Sequence, residues 1–188
     1  FAPFPATCVA VTGTNGKTST VELTRQLWQM SGHQAASIGT LGVTTARESV
    51  AIGLTTPDVV TFLGNMGGLA REGVGHVAFE ASSIGLDQYR TEGLAVAAAA
   101  FTNLSRDHLD YHGDMAAYLT AKLRLFAEIV DADGTAVVWQ DDAASDRVID
   151  LARARGLKLI GVGTRGATIR LQVCDPGSSG REMRWPKR

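Results

Sequence analysis

Between the apolar run Cys8 to Thr12 and a helix-type pattern from about Thr18 to Met30 lies Gly13-Thr14-Asn15-Gly16-Lys17-Thr18. A glycine-rich turn that joins a strand to a helix is what a phosphate-binding loop requires. Glycines let backbone N–H groups converge on phosphate oxygens without side-chain clash. The helix that follows adds the partial positive charge of its N-terminus. Lys17 is placed to reach terminal phosphates, and the Thr18 hydroxyl is placed to ligate Mg²⁺. Val11 stands where the longer G-x-x-x-x-G-K-[ST] pattern has its first glycine, so this is the shorter G-x-x-G-K-T form. A turn that merely capped a helix would not need the Lys-Thr pair.

The rest of the chain alternates in the same way. Strand patterns at Ala35 to Gly39, Val50 to Leu54, His76 to Ala81, Leu94 to Thr102, Thr135 to Gln140 and Leu157 to Val162 are separated by helix patterns. The helices run from Asp58 to about Glu72, from Met115 to Val130 behind an Asp114 cap, and from about Ser145 to Arg155. His76 to Ala81 and Leu94 to Thr102 are apolar on both faces, as buried parallel strands are. The fold class expected is α/β: a three-layer domain with a mostly parallel central sheet and helices on both faces. At 188 residues, 45 % apolar and 20 % charged, the chain suits one such domain.

Charge and cysteine content exclude several classes. Lys plus Arg is 18 against 19 Asp plus Glu, so no basic excess points to nucleic acid. Cys8 and Cys174 suggest neither a disulfide framework nor a metal cluster. The longest apolar stretch, Leu94 to Phe101, is far short of the ~20 residues that span a bilayer. The opening Phe1-Ala2-Pro3-Phe4-Pro5 lacks a basic flank and an initiator Met, which reads as a piece of a longer cytoplasmic protein. Thr168 to Cys174 reads as a strand lacking its partner. Beyond it lie a turn-like Asp175 to Gly180 and a basic end.

Two further strand ends carry chemistry. Glu80 closes the strand His76 to Ala81, and in open α/β sheets ligands bind beyond the carboxyl ends of strands. A carboxylate there, beside a phosphate loop, suits Mg²⁺. The loop Thr102 to Gly113 is densely polar. In the helix after it, Met115, Tyr118, Leu119, Leu123, Phe126, Ile129 and Val130 share one apolar arc, with Lys122 near its middle and Arg124 and Glu128 opposite. Periodicity leaves two readings of Lys122. It snorkels to the helix edge, or burial lowers its pKa and the neutral amine adds CO₂ as a carbamate, an anionic ligand for Mg²⁺.

The segments VTGTNGKTST, LTTPD, EASSIGLDQYR and TNLSRDHLDYHGDMAAYLTAK, in this order, resemble the Mur ligases, the ATP-dependent amide-forming enzymes of peptidoglycan synthesis. The likeness is strong over roughly residues 7 to 130 and greatest to the branch that adds the third residue of the stem peptide. It implies that Gly13, Thr14, Asn15, Gly16, Lys17, Thr18 and Ser19 hold ATP, with Asn103 beside them. It implies Thr18 and Glu80 as Mg²⁺ ligands, His108 at a second Mg²⁺, and Lys122 as the carbamylated lysine. Lys17, Lys122 and His108 are thereby the catalytic candidates. Thr55, Thr56, Ser82, Gln88 and Arg90 match positions that contact the UDP-muramoyl peptide. Ile84 departs from the His usual after the two serines, so no polar contact is expected there.

The reaction implied transfers the γ-phosphate of ATP to the terminal carboxylate of UDP-MurNAc-L-Ala-D-Glu. The amine of a diamino acid, meso-diaminopimelate or L-lysine, then attacks the acyl phosphate. The resemblance also implies a cytoplasmic monomer. In it, residues 1–188 form the central ATP-binding domain, incomplete at its C-terminal end and lacking the flanking N- and C-terminal domains, so that the piece alone is inactive. Three other readings remain. Folylpolyglutamate synthetase shares the acyl-phosphate logic. A P-loop GTPase would need an N-K-x-D motif, which does not occur. A nucleotide-binding module would lack catalysis altogether.

Overall fold

The structure is a computed structural model that describes residues 4–166 and 168–171. β1 (Thr7–Thr12) leads through the phosphate loop into α1 (Lys17–Met30), which ends before Gly32 at φ 87°. β2 (Ala35–Gly39), β3 (Gly42–Thr44) and β4 (Ser49–Val50) precede α2 (Val59–Arg71) and β5 (His76–Glu80). Next come α3 (Ser83–Asp87), β6 (Val96–Phe101), α4 (Leu109–His112) and α5 (Met115–Arg124). A π-helical turn (Leu125–Ile129), β7 (Val130–Trp139), α6 (Ser145–Ala154), β8 (Lys158–Gly163) and β9 (Ile169–Arg170) follow.

The described strands form one sheet in the order β4-β3-β2-β5-β1-β6-β7-β8-β9. Among the described strands, only β2/β3 and β3/β4 pair antiparallel. β5 slots between β2 and β1, so β1 is flanked by β5 and β6. The register sets Val11 against Glu80 and Thr12 against Phe101. The carboxyl ends of three strands are therefore level, and the loops leaving them meet.

Alternation along the strands sorts the core into two layers. Ala10, Phe79, Ala99, Ala136 and Val138 pack with Phe62 and Met66 of α2, Leu125 and Phe126 of the π turn, and Val148 and Ala152 of α6. Val11, Ala78 and Ala100 point the other way, to Val21 and Trp28 of α1. Helices thus lie on both faces, as expected. The Phe62 and Phe79 rings meet edge-on, with centroids 5.1 Å apart. Each such buried side chain contributes about 1.5–3 kcal/mol relative to exposure.

Four local expectations are corrected. The strand expected over Val50 to Leu54 is the two-residue β4, and β3 before it was not expected at all. β7 begins at Val130 rather than Thr135, because a register irregularity opposite Val96 and Ala98 absorbs the polar Asp131 to Asp133 that disguised the strand. The helix expected from Met115 to Val130 becomes π-helical at Leu125, which breaks the 3.6-residue phase on which its arc was drawn. β9 pairs in parallel with β8, so it does not lack a partner. Cys174, the turn-like segment and the basic end lie outside the described residues. Among those described, no helix is long and apolar enough to cross a membrane.

Candidate active site

The phosphate loop is shaped by two glycines and held from outside. Gly13 has φ 145°, and a Cβ there would collide with the Thr102 hydroxyl; Gly16 has φ 85°. Only glycine tolerates both positions without strain. The ties come from the end of β6. Asn103 Oδ1 accepts from the Asn15 N–H at 2.9 Å, and its Nδ2 donates to the Asn15 carbonyl at 3.1 Å. The Thr14 N–H donates to the Asn103 carbonyl, and Thr102 Oγ1 to the Asn15 carbonyl. Asn103, expected to touch nucleotide, spends both ends of its side chain on the loop backbone. Ser19 lies exposed in the first turn of α1.

Glu80 and Thr18 are joined directly. Thr18 Oγ1 donates to Glu80 Oε1 at 2.9 Å, and the carboxylate is 2 % exposed. Its other partners are the Thr40 N–H at 2.8 Å and the Thr40 hydroxyl at 3.3 Å. No described cationic side chain forms an ion pair with it. A buried carboxylate beside hydroxyls, with no cation of its own, is an oxygen donor set that fits Mg²⁺. Thr40 was missed, because a lone threonine after a short strand gives no sequence signal.

Lys122 is 1 % exposed, so it does not snorkel. Its Nζ donates to the Gly13 carbonyl at 2.9 Å and lies 4.3 Å from the Tyr118 ring centroid. Lys17 Nζ donates to that same carbonyl at 3.1 Å and to the Thr14 carbonyl at 2.9 Å. Burial first, and the nearby Lys17 charge second, push the Lys122 amine down to about 7 against the opposing pull of Asp107. Burial also lowers Lys17, opposed by Glu80 and Asp107. A neutral fraction of the Lys122 amine is therefore available near neutral pH, and that is the form that can add CO₂.

Tyr118 and Asp107 are the other residues that sequence reasoning passed over. The Tyr118 hydroxyl reaches Thr14 Oγ1 at 3.2 Å, and Thr14 Oγ1 accepts from the Ser105 N–H. Periodicity had assigned Tyr118 to the apolar arc and could not show its polar end. Neither a hydrogen bond nor an ion pair joins the His108 side chain to Thr18 or Glu80. That imidazole is 46 % exposed, with Nε2 3.4 Å from Asp107 Oδ2. The Tyr118 ring centroid is 6.2 Å from its own. Among the described residues, no three His, Cys, Asp or Glu side chains converge as a metal cluster.

A second group lines the same edge. Thr56 Oγ1 donates to the Glu80 carbonyl at 3.0 Å and accepts from the Ser82 N–H at 3.1 Å. Ser82 Oγ caps α3 by accepting from the Gly85 N–H. A Cβ at Gly85 would strike Thr56, so glycine there lets α3 dock. Arg90 Nη1 donates to the Thr56 carbonyl at 2.9 Å and Nη2 to Gln88 Oε1 at 2.5 Å. Thr55 meets Thr40 at 3.1 Å. Ile84 is half-buried within α3.

Residues 11–186 match the family described as the Mur ligase middle domain. The chain belongs to the Mur ligase family. It is 60 % identical over 181 residues to the UDP-N-acetylmuramoyl-L-alanyl-D-glutamate–2,6-diaminopimelate ligase of Zymomonas mobilis, covering 96 % of this chain and 37 % of that protein. The Bradyrhizobium diazoefficiens ligase of the same name is 54 % identical over 88 % of this chain and 34 % of its own length. This Mur ligase chain thus spans about a third of the curated relatives it matches. A solved ligase of that name superposes with TM-score 0.78 at 35 % identity, over 87 % of this chain and 33 % of its own. E. coli FolC in complex with DHPP and ADP matches at TM-score 0.65 and 16 % identity, over 84 % of this chain and 42 % of its own. That second likeness shows a shared fold.

Proposed function

We propose that the protein to which this chain belongs is an ATP-dependent ligase of peptidoglycan-precursor synthesis. It joins a diamino acid to UDP-MurNAc-L-Ala-D-Glu through an acyl phosphate. The relatives' names favour 2,6-diaminopimelate as that amino acid. The chain would be its central domain, working as a cytoplasmic monomer between an N-terminal and a C-terminal domain. The observation that carries the reading is a convergence at three adjacent strand ends. Phosphate loop, Glu80–Thr18 pair and buried Lys122 meet there, with Gln88 and Arg90 on the neighbouring α3 edge.

In this reading each residue has a physical task. A carboxylate attacking a triphosphate faces strong charge repulsion. The loop amides, the α1 N-terminus and Lys17 offset it from fixed positions, so little reorganisation is needed as charge develops. Thr18 and Glu80 would hold Mg²⁺, which supplies Lewis-acid stabilisation of phosphoryl charge when bound. Lys122, as a carbamate, would present an oxygen donor together with His108. Gln88 and Arg90, with Thr55, Thr56 and Ser82, would orient the acceptor, the planar fork of Arg90 suiting an anionic group.

The test uses the full-length enzyme. ATP hydrolysis should depend on the UDP-muramoyl dipeptide, and Lys17→Ala should abolish it. Retained turnover in that variant removes the loop assignment. With ¹³C-bicarbonate, Mg²⁺ and nucleotide present, a carbamate resonance should appear that Lys122→Ala lacks.

A further inference from the structure

The segment that carries Gln88 and Arg90 turns a difficult corner. Tyr89, between them, has φ 57° and is 60 % exposed. An aromatic residue persists in that left-handed region only when its surroundings over-determine it. The group that does so is Arg124, at the end of α5. Its guanidinium carbon lies 3.8 Å from the Tyr89 ring centroid. Nη1 donates to the Leu86 carbonyl, and Nη2 bonds Glu92 at 3.1 Å and Glu128 at 2.6 Å.

One planar group therefore holds the chain before, at and after the corner, and its side chain is only 13 % exposed. Although Arg124 lies opposite the apolar arc, the fold packs it against the Leu86–Glu92 segment. Arg124 bonds to neither Gln88 nor Arg90. Two residues earlier on the same helix, Lys122 reaches Gly13. α5 thus touches the phosphate loop at one position and the acceptor segment at another.

Resting on the reading above that Gln88 and Arg90 hold the acceptor, we propose that Arg124 is a positioning residue. It clamps the Leu86–Glu92 corner to α5 and thereby sets where those two side chains stand relative to the phosphate loop. Lysine cannot replace it, because an ammonium lacks the fork and the flat face that act together here.

The experiment compares full-length wild type with Arg124→Met, Arg124→Lys and Arg90→Ala. KM for UDP-MurNAc-L-Ala-D-Glu should rise about tenfold in both Arg124 variants, with kcat and the KM for ATP within about twofold. Hydrogen exchange gives an activity-independent readout. The Tyr89 and Arg90 amides, bonded to the Leu86 and Gly85 carbonyls at 3.2 and 2.9 Å, should exchange at least about tenfold faster in both, with α1 and β5 unaltered. Unaltered exchange, unaltered acceptor KM, or wild-type behaviour in Arg124→Lys overturns the proposal. Arg90→Ala should raise the acceptor KM without hastening those amides. An unaltered KM in Arg90→Ala would overturn the acceptor reading and this proposal with it. Faster exchange in Arg124→Met would then show that the clamp itself exists and that the acceptor assignment is what failed.

Discussion

Replacing Lys122 by Met should make the domain more stable at pH 7 while removing a residue its proposed chemistry needs. Methionine keeps the buried stem and removes the amine. In the folded chain that amine is pushed from 10.5 down to about 7 by burial and by Lys17. Between those values the unfolded chain binds a proton that the folded chain does not, so stability rises with pH across the window. The full shift corresponds to about 5 kcal/mol of cost below pH 7, and about 2 kcal/mol of it should be recovered between pH 7 and 9. Against this, the variant loses the hydrogen bond to the Gly13 carbonyl, about 1 kcal/mol. The Gly13 carbonyl is not orphaned, because Lys17 still donates to it. Lys122→Met should thus be about 3 kcal/mol more stable than wild type at pH 7 and only about 1 kcal/mol more stable at pH 9. Urea unfolding in CO₂-free buffer at pH 7, 8 and 9 measures the difference, in which the other titrating groups largely cancel. A difference that stays constant with pH, or a less stable variant at pH 7, would refute the buried-neutral-amine argument.

Gly13→Ala should abolish nucleotide binding measured by calorimetry, because a Cβ at φ 145° meets the Thr102 hydroxyl and the Asn103 backbone that hold the loop. Unchanged affinity would show that the loop can shift at no cost. Phe79→Ala should lower unfolding stability by about 3–5 kcal/mol, since Phe79 is fully buried at the sheet centre against Phe62. A loss under about 1 kcal/mol in urea melts would mean that the core collapses around the gap.

Local signals reached far in this chain. The stretch from Thr7 to Met30 is legible because strand, glycine turn and helix each depend on neighbours a few residues away. Asp58 and Asp114 announce α2 and α5 for the same reason, each side chain accepting from amides two or three residues on. The motif segments, read as a set, pointed to the family before any geometry. Burial and partnership lie at another scale. Lys122 is joined to Gly13 across 109 positions, and Asn103 to Asn15 across 88. No periodicity carries such pairings. The order β5-β1-β6 creates them by making three strand ends level. Periodicity left Lys122 between snorkelling and burial, and the tertiary structure decided for burial by enclosing the amine. It decided likewise for Arg124, which a helical wheel puts opposite the apolar arc. The wheel knows nothing of α3, whose carbonyl end and following corner supply the acceptors, ring and carboxylate that fix its guanidinium. A side chain's charge state and task depend on what surrounds it in space, and those surroundings come from segments that only the folded sheet brings together.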